Sequence, residues 1–363
     1  MINKLISPAI IFLMLIVPSC KNHNSNTIVT IKGEEFFING KPTYEGRYLK
    51  GIKIQGLLMN SRMVQGIFDD LNDSTRYLWI YDDTKKWDAD RNTNEFVSNM
   101  PLWKSSGLLS FTINMQGGSP QGYSASQPWI NTPYYADGSL REDYMRRLER
   151  ILNKADELGM VPILGLFYFG QDQTLKDEKA VVSAVENVIN WLHERNYRNI
   201  LIEINNESNI SYDHEILQPQ RVHELIKHVQ EMKKDGFSFY TGTSYGGGFI
   251  PLPNVVSSSD FILLHGNGVS DAGYIKTMID STRLVPGYTP KPILFNEDDH
   301  FDFEKENNNC ITAVKNYASW GYFDYRMKDE RYEDGYQSVP VDWGFNSERK
   351  KGFFNLLKEI TGY

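Results

Sequence analysis

The feature that most constrains the fold of this chain is an alternation of strand-like and helix-like segments through most of its 363 residues. Short apolar runs predict strands, whereas apolar residues spaced three and four positions apart predict helices. The helix pattern is clearest in residues 140–159, where Tyr144, Leu148 and Ile151 share one face. The predicted strands are residues 51–59, 107–115, 161–167, 199–204, 237–242, 261–266, 292–297 and 321–327.

Helix-like segments follow nearly all of these strands, and this order indicates how the strands are arranged. Strands that are separated by helices favour a parallel sheet. Eight such units suit a closed (β/α)8 barrel, which typically takes about 250 residues plus insertions. The sequence therefore predicts an α/β fold of the TIM-barrel type. The weakest helix is the fifth, where residues 251–259 predict little more than a turn.

An open, doubly wound parallel sheet is the alternative to the barrel. Such a sheet usually carries a glycine-rich phosphate loop directly after its first strand. Here the three consecutive glycines at 246–248 follow a late strand and predict a flexible loop, and no G-x-G-x-x-G or Walker pattern occurs. We therefore favour the barrel and expect no cofactor.

The first residues have the features of an export signal. Lys4 precedes a short apolar run that leads to "VPSC" at Cys20, and the run is too short to span a bilayer. The pattern resembles a bacterial lipoprotein signal, which implies a signal peptide at 1–19 and lipidation of Cys20. An ordinary secretory signal with a chance cysteine is the alternative. With a lipid anchor, we expect the protein in the cell envelope, at a bacterial outer membrane or cell surface.

The remaining chain divides simply. Residues 20–27 are predicted to form a polar tether, and residues 28–363 a single barrel domain. This domain begins with a short β-hairpin, because apolar and polar residues alternate around the turn signal Asn39–Gly40. A formal net charge of −8, without a basic run, argues against nucleic acid as a partner.

Polar side chains gather at the predicted carboxyl ends of the strands, where a (β/α)8 barrel places its active site. The fourth strand ends in "NILIEINNESN", residues 199–209. Because strand side chains alternate with a period of two, Glu203, Asn205 and Glu207 are expected to face the barrel interior. The same count places Ile293, Phe295 and Glu297 on one face, so that Glu297 also points inward.

Two carboxylates after strands four and seven resemble the arrangement in glycoside hydrolase clan A. Members of this clan carry an Asn-Glu pair after strand four and a Glu after strand seven. The resemblance implies that Glu207 is the acid/base, that Glu297 is the nucleophile, and that Asn206 binds a sugar hydroxyl. The sequence departs from the clan in having Ser208 where many members have Pro, and His265 where a Tyr is common.

Four other residues are candidates for binding the substrate, and each has a structural alternative. Arg62 could hold Glu297 ionised, or it could belong to a structural ion pair. His265 could contact the sugar, or it could be a hydrogen-bonded core histidine. Tyr168 and Trp343 could stack on the apolar face of a sugar, or they could simply pack the loops.

The run Asp298-Asp299-His300 raises the question of a metal site, and Asp298 is also the nearest rival of Glu297 as nucleophile. Metal ligands must converge on one point. Neighbouring residues of a strand point to opposite faces, so we expect Asp298 and Asp299 not to converge and expect no metal.

Taken together, these features predict a retaining glycoside hydrolase that cleaves a polysaccharide or oligosaccharide with two carboxylates. The alternative is a carbohydrate-binding lipoprotein that keeps the barrel without catalysis. A different hydrolase on the same barrel also stays open, because fold does not fix function. A serine nucleophile would call for a G-x-S-x-G motif, which the sequence lacks.

Overall fold

A computed structural model describes residues 25–123, 126–326, 330 and 334–363. The predicted signal peptide, Cys20 and the first part of the tether lie outside the described residues, so lipidation stays a prediction. Among the described residues, no helix combines the length and apolar character that crossing a membrane requires.

The described chain begins with two small antiparallel sheets. Strands β1 (Val29–Lys32), β2 (Glu35–Ile38) and β3 (Lys41–Pro42) form a meander, and β4 (Tyr48–Leu49) pairs with β5 (Ile52–Lys53). The β2–β3 turn contains Asn39 and Gly40, which both have positive φ angles, at 52° and 78°. Such a turn matches the twist of the two strands, as the Asn-Gly pair predicts.

The next strands close into a barrel. These strands are β6 (Asn60–Ser61), β7 (Ser110–Asn114), β8 (Val161–Phe167), β9 (Leu201–Asn205), β10 (Tyr240–Gly242), β11 (Ile262–His265), β12 (Ile293–Glu297) and β13 (Gly321–Tyr322). Strands that follow one another along the chain lie side by side and parallel, and β13 pairs with β6. Between β10 and β11 the connection is the hydrogen bond from Asp260 N to Thr241 O at 3.0 Å. The closure between β13 and β6 confirms the (β/α)8 prediction over the open sheet.

Helices pack outside the barrel, and side-chain caps set where several of them begin. Asp88, Asp177 and Ser347 each accept a hydrogen bond from a backbone N–H in the first turn of a helix. The helices are α1 (Ala89–Ser105), α2 (Glu142–Leu158), α3 (Glu178–Glu194), α4 (Val222–Glu231), α5 (Pro253–Ser258), α6 (Ala272–Arg283), α7 (Asn309–Lys315) and α8 (Glu348–Thr361). The weak fifth segment is therefore a short helix, α5.

The first barrel strand lies further along the chain than its sequence suggests. Residues 51–59 were predicted as the strand, but residues 52–53 belong to the small β4–β5 pair and the barrel strand is Asn60–Ser61. Gly51 and Gly56 have φ angles of 83° and 87°, so the backbone turns twice within an apolar run that otherwise resembles one strand.

The barrel interior contains a polar layer beneath the mouth. The Glu203 side chain on β9 is fully buried and accepts hydrogen bonds from Ser244 at 2.5 Å and from Asn296 at 3.3 Å. Gly165 on β8 leaves room for this layer, because a Cβ there would lie 2.3 Å from the side-chain oxygen of Asn114. A buried acid directly below the strand ends indicates that the mouth is built for polar chemistry.

Candidate active site

Five of the predicted site residues meet at the carboxyl end of the barrel. Glu297 is the last residue of β12, and His265 is the last residue of β11. Arg62 follows β6, while Asn206 and Glu207 follow β9. Four different strand ends therefore supply the groups that the sequence placed in one site.

A buried arginine connects two of these groups. The Arg62 guanidinium lies 2.9 Å from Glu297 Oε2 and donates to the side-chain oxygen of Asn206 at 3.2 Å. The Arg62 and Glu297 side chains are only 1% and 5% exposed, so water hardly screens this pair. The Asn206 Nδ2 group is buried and has no hydrogen-bond partner among the described residues, so it is free to donate to a ligand.

Glu207 enters the mouth for a different reason from the one predicted. The strand ends at Asn205, and Glu207 lies in a turn with a φ angle of 53°, which is unusual for a residue with a side chain. Asn205 bonds to Leu217 O at 2.9 Å, whereas Asn206 faces Arg62. The expected alternation therefore stops at Asn205, and the left-handed turn directs the Glu207 side chain.

A β-bulge directs the Glu297 side chain into the mouth. Leu264 pairs with Phe295 while His265 pairs with Glu297, so Asn296 is an extra residue on β12. Asn296 bonds to the interior Glu203, and the next residue, Glu297, bonds to Arg62. The count of two that placed Phe295 and Glu297 on one face is therefore wrong at this point, although its conclusion for Glu297 is right.

The two carboxylates are close together. One carboxylate oxygen of Glu207, one of Glu297 and a ring nitrogen of His265 all lie within 4.8 Å of one another. We call these three residues the mouth cluster. Carboxyl groups about 5–5.5 Å apart are typical of retaining glycosidases, whereas inverting enzymes separate them by about 6.5–9.5 Å. The same three ligand types could bind a metal, but the Arg62 guanidinium beside Glu297 would repel a cation there.

His265 bridges the two acids. Its Nδ1 lies 3.0 Å from Glu207 Oε1 and 3.5 Å from Glu297 Oε2. Burial disfavours the charged ring, but the charges of Glu297 and Glu207 outweigh burial and raise the pKa of His265. The ring is fully buried and its Nε2 has no partner among the described residues. His265 therefore contacts the candidate catalytic acids directly.

The two acids differ in their ionisation. Burial raises the pKa of Glu297, and the nearby negative charge of Glu207 adds to this, although Arg62 and His265 act in the opposite direction. Burial also favours neutral Glu207, but the hydrogen bond and the charge of His265, together with the charge of Arg62, outweigh burial and lower the pKa of Glu207. Like charges at this distance titrate as a pair.

A cavity of about 400 Å³ opens above the mouth cluster and is lined by both glutamates. Tyr168 forms part of its wall and stacks on Phe169 with ring centroids 4.3 Å apart. Phe323, after β13, also lines the cavity, and its ring faces Arg62. Tyr168 is therefore positioned to contact a ligand, as its sequence position suggested.

Trp343 is not part of this cavity. Its side chain is 1% exposed, its Nε1 donates to Asn92 Oδ1 at 3.1 Å, and its ring packs against Phe96 and Tyr336. Trp343 therefore packs between α1 and the loop before α8, and it does not line the cavity as the predicted sugar contact would require. The position of Trp343 in a loop suggested an exposed ring, but the described part of this loop packs against α1.

Asp298, Asp299 and His300 form a second cluster, which we call the buttress cluster. Contrary to expectation these residues converge, because the chain leaves the strand after Glu297 and the His300 ring lies 2.9 Å from Asp298 and 3.2 Å from Asp299. Asp298 also accepts from Trp320 Nε1 and Asn309. Its carboxylate is fully buried and does not line the cavity, which removes it as the rival of Glu297.

The sequence did not assign a role to Asn267, although Asn267 lies at a strand end. Its Nδ2 donates to Glu297 Oε1 at 2.5 Å. The glycines at 246–248 were expected to form a flexible loop, but they pack against the end of β11. Gly248 N donates to His265 O at 2.9 Å. A polar residue two positions after His265 was the available signal for Asn267.

Comparisons with known proteins support the fold. No family model matches the sequence, and no curated protein matches it by sequence. Solved structures do match: the Endo-1,4-beta-mannanase from Rhizomucor miehei is 12% identical, with a TM-score of 0.56 over 93% of this chain and 100% of that chain. A GH5-4 broad specificity endoglucanase from Bacteroides salanitronis is 10% identical, with a TM-score of 0.52 over 87% and 98%.

A third match is a candidate glycoside hydrolase from Bacteroides vulgatus ATCC 8482, which is 12% identical with a TM-score of 0.55. The match covers 92% of this chain but only 61% of that longer chain. At such identities the likeness shows the fold alone. The architecture is therefore the (β/α)8 barrel found in glycoside hydrolase family 5 of clan A, as the resemblance implied.

Proposed function

We propose that this chain is a retaining glycoside hydrolase that acts on an oligosaccharide or polysaccharide. The observation that carries the proposal is the pair Glu207 and Glu297, with carboxylate oxygens within 4.8 Å of each other below an aromatic cavity. This spacing fits a covalent mechanism, because one carboxylate can reach the anomeric carbon while the other reaches the leaving oxygen.

Glu297 is the proposed nucleophile. Arg62 and Asn267 bind its two oxygens and hold the carboxylate in place. In the first step a Glu297 oxygen forms a bond to the anomeric carbon while the bond from that carbon to the leaving oxygen breaks. In the second step water attacks the same carbon and releases Glu297. Asn206 Nδ2 is free to donate to a sugar hydroxyl during both steps.

Glu207 is the proposed acid and base. It donates a proton to the leaving oxygen in the first step and takes one from water in the second. In the free protein the contact with His265 lowers the pKa of Glu207, whereas the pKa of the His265 ring is raised and its Nδ1 lies 3.0 Å from Glu207 Oε1. When the substrate displaces water, transfer of a proton from the His265 ring would give Glu207 the proton that it donates to the leaving oxygen.

Hydrolysis of neutral oligosaccharides tests the proposal. Because fold neighbours include a mannanase and an endoglucanase, the first panel is mannohexaose and cellohexaose, with the matching glycosyl fluorides. The products of wild type should retain the anomeric configuration by NMR. Glu297→Gln should abolish turnover of both substrate types. Glu207→Gln should abolish turnover of the hexaoses and keep glycosylation by the fluorides, because fluoride leaves without a proton.

Chemical rescue distinguishes the two glutamates further. Glu297→Gly removes the nucleophile, and added azide or fluoride should restore part of the turnover by attacking from the vacated side. The anomeric configuration of a product formed with azide identifies the face that was attacked. Unchanged turnover in either Gln variant, with the protein folded by circular dichroism, would rule out this assignment.

A carbohydrate-binding protein without catalysis is the second candidate. The lowered pKa of Glu207 favours it, because an ionised carboxylate cannot protonate a leaving group. Binding of the hexaoses by calorimetry, together with no hydrolysis by wild type over long incubation, would support this second candidate.

We also propose that Cys20 carries a lipid and anchors the protein in the cell envelope. Support comes from the apolar run that ends in Cys20. In addition, Asn26 N and Thr27 N each donate to Asp156 at the end of α2, which is the side of the barrel opposite the mouth. Mass spectrometry of the mature N-terminus should find a diacylglyceryl-modified Cys20, and cleavage at another residue would contradict the anchor.

A further inference from the structure

A patch of exposed apolar side chains lies on the barrel rim beside Glu207. Phe249 is 58% exposed, Tyr274 44% and Ile210 39%, and all three come from loops or helices at the carboxyl end of the strands. We call these three residues the apolar platform. Large apolar side chains that are exposed together commonly mark a binding surface.

The platform is connected to the candidate acid through backbone contacts. Ile210 N donates to Glu207 O at 2.8 Å, which closes the turn that also directs the Glu207 side chain. Gly246 N donates to Asn209 Oδ1 at 2.7 Å. The platform loop and the acid are therefore held by one segment, residues 207–210.

The loop that carries Phe249 is also attached to β11. Gly248 N donates to His265 O at 2.9 Å, and Tyr274 Oη donates to Gly248 O at 3.3 Å. A Cβ at Gly247 would lie 2.1 Å from the carbonyl oxygen of Asn267, so the loop approaches the strand end at a distance that glycine alone permits. Phe249 is therefore presented at a fixed position relative to His265 and Glu207.

The direction of the proposed reaction says what this surface would contact. The acid must lie within hydrogen-bond distance of the leaving oxygen. The sugar that carries this oxygen therefore lies against Glu207, and the apolar platform is an exposed apolar surface that segment 207–210 connects to Glu207. A pyranose ring has an apolar face of C–H groups, and an exposed aromatic ring is the surface that matches it.

On this basis we propose that the apolar platform binds the leaving-group side of an oligosaccharide, and that Phe249 is its principal contact. The proposal rests on the proposed function, because it uses Glu207 as the acid. It assigns a specificity role to residues outside the cavity. Sugars on the leaving side should add to catalytic efficiency only when the platform is present.

The test compares two substrates of the same sugar that differ in their leaving group. Cellohexaose and mannohexaose place sugar rings on the platform, whereas β-cellobiosyl and β-mannobiosyl fluoride place a single atom there. For Phe249→Ala, kcat/KM for the hexaose that wild type cleaves should fall about tenfold. The value for the fluoride should stay within about twofold of wild type. Phe249→Tyr should retain the hexaose activity, because it keeps the ring.

Tyr48→Ala is the matched control. Tyr48 is 56% exposed but lies on β4, away from the mouth, so its loss should leave both substrates unaffected. Equal effects of Phe249→Ala on hexaose and fluoride, or no effect on either, would overturn the platform proposal. So would a dimer in sedimentation that dissociates in Phe249→Ala, because the patch would then be a contact between copies.

The platform and the proposed function can fail separately. If wild type hydrolyses neither hexaose nor fluoride, the proposed function fails. Calorimetric binding of the same hexaoses then decides the platform. Weaker binding to Phe249→Ala than to wild type supports it, and unchanged or undetectable binding to both proteins overturns it.

Discussion

The mouth cluster and the buttress cluster contain the same chemical groups, two carboxylates and one imidazole, yet their surroundings differ. Glu207 and Glu297 border a cavity, and the His265 Nε2 between them has no partner among the described residues. Asp298 instead accepts from Trp320 Nε1, from Asn309 and from the His300 ring, all within 3.2 Å. The same residue types therefore suit the proposed catalysis in one cluster and support the architecture in the other, according to whether hydrogen-bonding capacity is left unused.

Asp299 connects the buttress cluster to neighbouring loops through hydrogen bonds. It accepts from Gly268 N at 3.0 Å and from the hydroxyl of Tyr123 at 3.0 Å, and Tyr123 lines the cavity. The cluster thus joins the loops after β7, β11 and β12. The comparison teaches that a carboxylate-rich motif at a strand end is weak evidence of a site until its hydrogen bonds are counted.

The largest expected difference between the clusters concerns turnover. Glu297→Gln should lower kcat on the order of a thousandfold or more, because the proposed nucleophile is lost. Asp299→Asn, two positions further on, should change kcat by less than about tenfold, because its contacts support a wall and not the reacting atoms. Steady-state kinetics on the active hexaose provides the measurement. Similar losses in both variants would remove the distinction between the clusters.

The second prediction concerns stability. Asp298→Ala should lower the free energy of unfolding by about 3 kcal/mol, because Trp320 and Asn309 would lose their buried acceptor. Asp302→Ala is the control, since its partner Lys305 is exposed and the loss should be within about 0.5 kcal/mol. Urea unfolding followed by tryptophan fluorescence measures both. A stability change at Asp298 no larger than that at Asp302 would show that the buttress cluster does not support the fold.

The third prediction concerns Asn267, which donates a hydrogen bond to Glu297 of the mouth cluster. Its hydrogen bond lowers the pKa of Glu297, which burial and the Glu207 charge raise. Asn267→Ala should therefore reduce kcat about tenfold and move the acidic limb of the pH profile to higher pH.

The control for this variant is Asn254→Ala, which removes side-chain contacts to Pro219 O at 2.9 Å and to the His223 ring at 3.0 Å, outside the mouth cluster. It should leave the pH profile in place. A loss of kcat in Asn267→Ala with an unshifted acidic limb would mean that Asn267 acts on the fold and not on Glu297.

The smallest effect is expected in the pH dependence of stability. Hydrogen bonds that the His300 ring donates to Asp298 and Asp299 raise the pKa of His300 to about 10, from 6.5. Because the folded pKa is the higher one, this stabilisation is complete below about pH 6.5 and is lost as the pH rises through about 10. The difference in unfolding free energy between wild type and His300→Gln should shrink by about 1 kcal/mol over this range. A difference that stays constant from pH 6 to pH 10 would contradict the raised pKa.

The sequence predicted the barrel well because the patterns that indicate each strand and helix lie within short segments of the chain. Each amphipathic helix and each apolar strand carries its own period, and the order of elements then limits the topology. The main errors occurred where the backbone leaves its regular geometry. Gly51 and Gly56 interrupt an apolar run, and the first strand therefore begins later than its hydrophobicity suggests.

The candidate site was predicted in part. The strand-end position was sufficient to select Arg62, Asn206 and His265, and the structure brings them together with both glutamates. Trp343 was chosen for its chemical type and its place after the last strand, and its burial against Phe96 depends on a contact between residues far apart in sequence. The role of Asn267 likewise depends on a bond across two strands.

By itself the sequence determined the closed α/β architecture and the rim where polar residues collect, since both follow from periodicity and element order along the chain. The tertiary structure decided which of those residues face one another. A left-handed residue at Glu207 and a bulge at Asn296 set the directions of the two candidate catalytic side chains. Such departures from regular geometry arise from packing between distant segments, and that packing has no local pattern in the sequence.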